Sequence, residues 1–213
     1  MIRLYRPSDA AAIRQIAFET ADRGQSMTHM LDDRELIADV LVDYYRRYEP
    51  ETLWVAESED RVVGYLTGSL KSGQYRQRMA WNILPAAAGQ AVARGLLWQR
   101  QSWRLARAGV DTWWRGGLGR DVDLKRYPAH LHINIKEGFR SQRLGHALVE
   151  RFMAQAAGAG LRGVHAGVRE DNVGACGFFK RMGFTALTRH PVVLPTRDSY
   201  QLHYTIIYGK TLI

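Results

Sequence analysis

Between His130 and Ile135 the chain alternates: Leu131, Ile133 and Ile135 are apolar, while His130, His132 and Asn134 are polar. A period of two predicts a strand with one apolar and one polar face. After Gly138 the period changes. Leu144, Leu148, Phe152 and Gln155 or Ala156 recur at helical spacing as far as Gly158 and Gly160, so a turn and an amphipathic helix follow the strand. Residues 163–168 predict another strand. Asn172 then caps a short helix to Met182, with Gly183 as its stop. Residues 184–187 and 200–208 predict two closing strands.

The amino-terminal half reads strand, helix, helix, strand, strand. Residues 2–5 alternate. Pro7-Ser8-Asp9 supplies turn and cap chemistry for a helix bearing Ala12, Ile13, Ile16, Ala17 and Thr20. Asp32-Asp33 caps a second helix with Leu36, Ile37, Val40, Leu41, Tyr44 and Tyr45 on its apolar face, and Glu49-Pro50 ends it. Residues 52–56 and 61–70 predict a hairpin. The pattern then breaks down over about 71–126. That stretch holds five of the six tryptophans, Trp81, Trp98, Trp103, Trp113 and Trp114, and a helical run over 90–108, and it stops at Gly116-Gly117-Leu118-Gly119. Two readings fit: a helical hairpin buried against the sheet edge, or a lid or wall over a substrate pocket.

Composition narrows the classes. The chain has 213 residues, which suits one domain over 1–213 with the insertion inside it. No apolar run of the length that spans a bilayer occurs, so no membrane partner is expected. The start, Met1-Ile2-Arg3-Leu4-Tyr5-Arg6-Pro7, meets charge and proline too early for a signal peptide. Cys176 is the one cysteine, which rules out an intrachain disulfide and fits a reducing cytoplasm. A net charge of +9 raises the question of nucleic acid. Long basic blocks and RNA-binding signatures are missing, so nucleic acid is disfavoured as the main partner. A basic surface also steers anionic small molecules.

The turn before the Leu144 helix carries the clearest chemistry. The first main-chain N–H groups of a helix lack intrahelical acceptors, and with the positive end of the dipole they favour phosphate. Arg140 and Arg143 add charge, and Gly145 lets the backbone come close to a ligand. No Gly-Lys-Ser/Thr follows, so a nucleotide-hydrolysing loop is not supported, and the spaced glycines of a dinucleotide fold are missing. Ser141 lacks an elbow motif or acid partner and makes a poor nucleophile. His130 and His132 lack a suitably spaced companion for metal, so none is expected. Cys176, beside phenylalanines, reads as a small buried hydrophobe.

Arg140-Ser141-Gln142-Arg143-Leu144-Gly145 resembles the pyrophosphate loop of the GNAT acyltransferases, Gln/Arg-x-x-Gly-x-Gly/Ala. Some 25 residues on, the segment from Asn172 through Ala175, Phe178 and Phe179 to Gly183-Phe184 resembles that family's second block, Asn-x-x-Ala-x-x-Phe-Tyr-x-x-x-Gly-Phe. Within the family, Tyr127-Pro128-Ala129-His130-Leu131-His132-Ile133 is similar to bacterial relatives of the acetyltransferase-like region of O-GlcNAcase. The resemblance implies an α/β (α+β) fold: a mixed, mostly antiparallel seven-stranded sheet flanked by helices, outside the tryptophan-rich insertion.

It also implies acetyl-CoA as cosubstrate and an amine as acceptor, on a small molecule, a protein lysine or an amino terminus. Ile133 and Ile135 would offer backbone groups to the pantetheine arm. Gln142, Arg143, Leu144, Gly145, His146 and Ala147, with Arg140 and Ser141, would hold the pyrophosphate. Asn172 would bond the arm or fix the strand end, and Phe178 and Phe179 would flank it. For the base that takes the ammonium proton, His132 stands first and His130 second, with His165, Asp171 and Glu170 behind them. The sequence departs from the family twice. Arg143 replaces the first loop glycine, and Phe179 stands where many relatives carry a proton-donating tyrosine. The second departure and the tryptophan-rich insertion motivate a rival reading, a catalytically silent acetyl-CoA-binding or protein-interaction module. A homodimer is left open.

Overall fold

The structure, a computed structural model, describes residues 1–28, 30–118, 122–140, 142–196 and 198–212. Strand β1 (Ile2–Leu4) leads into helix α1 (Ala10–Thr20). A longer helical run follows: α2 (Arg34–Ala38), a π-helical turn (Asp39–Asp43) and α3 (Tyr44–Tyr48). Asp33 caps it as the sequence indicates, its carboxylate accepting the Leu36 N–H at 2.8 Å. Strands β2 (Trp54–Ser58) and β3 (Arg61–Ser69) form the expected hairpin.

The run expected over 90–108 is not one helix. The chain makes α4 (Ser72–Arg78), a π-helical turn (Met79–Ile83), α5 (Leu84–Ala93), a short 3-10 turn (Leu96–Trp98) and α6 (Arg100–Trp114). Gly95 separates α5 from that turn with φ +69°, a left-handed conformation that costs glycine little and other residues more. Beyond the insertion come β4 (Ala129–Ile135), α7 (Leu144–Gly158), β5 (Gly163–Arg169), α8 (Val173–Arg181), β6 (Thr185–Pro195) and β7 (Tyr200–Thr211).

The seven strands form one sheet in the order β1-β2-β3-β4-β5-β7-β6. Every neighbouring pair is antiparallel except β4 with β5, so the mixed, mostly antiparallel sheet implied by the resemblance is the one observed. Alternation along the strands divides the core. Ala56, Leu66, Leu131, Val164 and Ala166 meet Leu148, Val149 and Phe152 of α7. Their neighbours Val55 and Tyr65 point to the opposite face, against Ile13, Ile16, Val42, Tyr44 and Tyr45. Phe152 crosses β3 so closely that a Cβ at Gly68 would stand 2.2 Å from its ring.

The insertion packs on the sheet edge at β6. Ala108 and Thr112 of α6 are buried there, and Val193 N–H donates to Thr112 Oγ1 at 2.8 Å. The docking agrees with the buried-hairpin reading, but the indoles do not. All five tryptophans of the insertion face solvent.

Candidate functional site

Strands β4 and β5 are paired at two registers only, Ala129 with Val164 and His130 with His165. Beyond them the strands part. A cleft of about 880 Å³ opens in the gap, with Leu131 to Ile135 along one wall and Gly167, Val168 and Arg169 along the other. Helix α7 begins at its mouth and α8 closes one side. The volume falls in the range of small-molecule sites.

The backbone at the mouth answers the question raised by Arg143. It takes φ +59° and ψ +6°, the left-handed conformation that the family's glycine would adopt freely, and it stands as the N-cap of α7. A left-handed side-chain residue is strained, of order 1–3 kcal/mol. The first helical bond is Ala147 N–H to the Arg143 carbonyl, at 3.1 Å. Helix geometry therefore leaves the N–H groups of Leu144, Gly145 and His146 without intrahelical partners, and commits that of Ala147. The expectation that Ala147 donates to a ligand is corrected accordingly.

Gly145 turns out to be small for a packing reason. A Cβ there would lie 3.3 Å from Ile135 Cδ1, 3.4 Å from Phe178 and 3.5 Å from Ile133, so the missing side chain lets α7 start close against β4 and α8. Arg140, Arg143, Gly145, His146, Ile133, Ile135, Asn172, Phe178 and Phe179 all line the cleft, whereas Gln142, Leu144 and Ala147 do not. Ser141 lies outside the described residues. The Arg140 guanidinium is tethered: Nε donates to the Ile135 carbonyl at 3.2 Å and Nη2 to the Gly24 carbonyl at 2.8 Å. A ligand using the Ile135 carbonyl would compete with Arg140. His146 pairs with Glu150 at 3.0 Å on the exposed face of α7.

Asn172 caps α8, its side chain accepting the Ala175 N–H at 3.1 Å, and it also faces the cleft. Phe179 is 4% exposed and packs on Phe178, Phe184 and Tyr208, with ring centroids 5.3, 5.2 and 6.2 Å away. Cys176 is buried in the same cluster, as the sequence suggests.

The structure separates the candidate bases. His130 is enclosed, with Tyr45 Oη 2.9 Å from Nε2 and Ser72 Oγ 2.8 Å from Nδ1. Burial, reinforced by the neighbouring His132, His165 and Arg76, pushes its pKa well below the usual histidine value. It does not reach the cleft, so the expectation of His130 as a base gives way to a structural role. His165 is buried too, held down to about 4 by desolvation, and its Nδ1–H donates to the Tyr127 carbonyl at 3.0 Å. Glu170 and Asp171 are tied to Arg189 and Arg169, each at 2.7 Å, and those arginines hold both carboxyls below their ordinary range. His132 remains. Its side chain is exposed in the cleft, and desolvation between the cleft walls lowers its pKa, so the ring is neutral near pH 7.

Two groups of lining residues escaped the sequence reading. Thr20 to Gly24, leaving α1, forms one edge of the cleft, where Asp22 takes the Arg169 guanidinium at 2.7 Å and Arg23 pairs with Asp171 at 3.4 Å. Arg181, also in the lining, stands inside the second motif at one of its unspecified positions. No described residue of the insertion lines the cleft, which removes the lid reading for that pocket.

Comparison with known proteins agrees with this geometry. Residues 116–184, covering β4, α7, β5 and α8, match the model of the acetyltransferase (GNAT) family. The crystal structure of SsHAT superposes with a TM-score of 0.70 at 22% identity, covering 100% of this chain and 98% of that one. An N-acetyltransferase from Staphylococcus aureus Mu50 gives 0.59 at 14% identity, covering 100% and 98%. YncA of Salmonella typhimurium, a putative acetyltransferase solved with its cofactor acetyl-CoA, gives 0.59 at 16%, covering 100% and 94%. The resemblance drawn from the two motifs holds, and the fold is shared along the whole chain.

Proposed function

We propose that this protein is an acetyl-CoA-dependent N-acyltransferase acting on an amine, with its cosubstrate in the β4–β5 cleft. The observation that carries the reading is the parting of two parallel strands directly beneath an arginine-flanked helix terminus. A diphosphate suits that terminus, where main-chain N–H groups, the helix dipole and Arg143 act together. An extended amide-bearing arm suits the open edge of β4, with Phe178 as its apolar wall. Acetyl-CoA would supply an activated acyl carbonyl there.

In this reading His132 takes the proton of the incoming ammonium through its neutral ring, directly or across one water. A main-chain N–H of β4 near Ile133 would meet negative charge developing on the thioester oxygen. Phe179 gives no proton, so the departing thiolate takes one from solvent or from another group. The single buried cysteine and the absence, among the described residues, of a helix long and apolar enough to cross a membrane agree with the cytoplasm as its place.

The rival, a module that binds acetyl-CoA without turnover, draws on the burial of Phe179 at the position of the family's tyrosine. One experiment separates the two. Stopped-flow thiol release over a panel of amines should show turnover by the wild type and a fall of about 10²–10⁴ in kcat for His132→Ala, with acetyl-CoA affinity by calorimetry unchanged. Tight binding with no release above the blank for any amine would favour the module. Absence of binding would overturn both.

A further inference from the structure

Charge on this chain is concentrated in one segment. Residues 71–118 contain eight arginines and lysines and a single acid, Asp111, a net +7 out of +9 for the whole sequence. The same segment carries ten of the fifteen large hydrophobic side chains that are exposed among the described residues. On α6 the two features are sorted by direction. Trp103, Ala106, Val110, Trp113 and Trp114 recur at i, i+3, i+7, i+10 and i+11, which is one stripe on a helix, and all five are exposed. Ala108 and Thr112 point the other way, into β6. Arg100, Arg107 and Arg115, all exposed, run along one flank of the stripe. The Trp103 indole N–H is bonded to the Leu97 carbonyl at 2.6 Å, so the stripe continues into the exposed Leu97–Trp98 turn.

We propose that α6 and the turn before it form a docking surface for the headgroup region of an anionic phospholipid bilayer. Indoles favour the boundary between hydrocarbon and water, and a helix with an apolar stripe beside arginines lies in that plane. The arginines complement negative headgroups. A second copy of this chain would bring +7 against +7. Single-stranded nucleic acid uses aromatic platforms in a basic groove, and aliphatic groups such as Val110 and Leu97 add nothing to base stacking. The contact is peripheral and does not span the bilayer. It revises the expectation that the protein has no membrane partner, and it stands whether or not the transferase reading does, since β7 separates β6 from the β5 wall of the cleft.

Sedimentation of the full chain with vesicles tests this. Mixed phosphatidylcholine–phosphatidylglycerol vesicles should bind it at least about tenfold tighter than phosphatidylcholine alone, with added salt weakening the contact. Tryptophan emission should shift to the blue and be quenched by brominated acyl chains. The double variant V110E/W114E should lose at least about tenfold in vesicle binding, with its circular dichroism and melting temperature unchanged, because both side chains are exposed. No binding to anionic vesicles would overturn the proposal, as would binding without bromolipid quenching. So would a dimer in sedimentation velocity that V110E/W114E disperses, or single-stranded oligonucleotide binding in place of lipid.

Discussion

The β4–α7–β5–α8 half and the segment from α4 to α6 use aromatic residues in opposite ways. In the first, Phe152, Phe178, Phe179 and Phe184 are wholly or largely buried and touch one another or the sheet. In the second, Trp98 is 91% exposed and Trp114 80%. A buried ring fixes where helices can sit, so its identity follows from the geometry of its own fold. An exposed ring answers to something outside the chain. The lesson is that motif matching reads the first kind of region well and has nothing to grip in the second.

The sharpest test of that contrast is Phe179→Ala. If Phe179 is core packing, truncation should cost about 3–5 kcal/mol, read from urea unfolding. A loss below about 1 kcal/mol would mean that the ring is held by the cleft alone and behaves like the indoles of α6. Phe179→Tyr makes a useful companion, because it adds a hydroxyl at a position that is 4% exposed. Unchanged stability there would mean that the new group reaches a partner or the cleft water.

The histidines under the cleft provide an intermediate effect. Burial holds His165 down to about 4 in the folded chain, against an ordinary value near 6.5 once unfolded. Between those values the unfolded chain binds more protons, so stability is complete above about pH 6.5 and drains as pH falls toward 4. From pH 7 to pH 5 the expected loss attributable to His165 is about 2 kcal/mol. His130 acts in the same direction below about pH 6.5, while Asp9 and Asp171, held low by Arg3 and Arg169, lose their contributions only in more acid solution. His165→Asn should flatten the wild-type slope between those pH values in urea titrations. Parallel slopes would remove His165 from the account.

What the sequence made legible divides along the same line. The strand–turn–helix at Leu131 to Phe152 was readable because its period changes from 2 to 3.6 around a turn, and the Asn172 cap because its side chain sits at the start of a periodic run. The site was readable where backbone geometry dictates residue type. Arg143 signalled an unusual loop residue, and the structure supplies its left-handed φ. Three things were not readable. His130 and His132 share a strand face and residue type, but Tyr45 and Ser72, distant in sequence, enclose one of them. The Asp22–Arg169 pair joins elements 147 positions apart. In the insertion the helical period ran past Gly95, where the glycine's positive φ and a short 3-10 turn divide α5 from α6.

The smallest expected effect is Trp114→Ala. A side chain that is 80% exposed, in edge contact with Trp113 at 6.2 Å, removes little from water on folding. Its truncation should therefore leave stability within about 0.5 kcal/mol of wild type, the range of surface substitutions away from caps and cores. Chemical denaturation at matched protein concentrations checks this. A loss of 2 kcal/mol or more would mean that the indole is already covered in solution, and α6 would join the buried half of the comparison. A null effect on stability combined with weaker vesicle binding would keep the two regions apart, because folding is then indifferent to a ring that the bilayer is not.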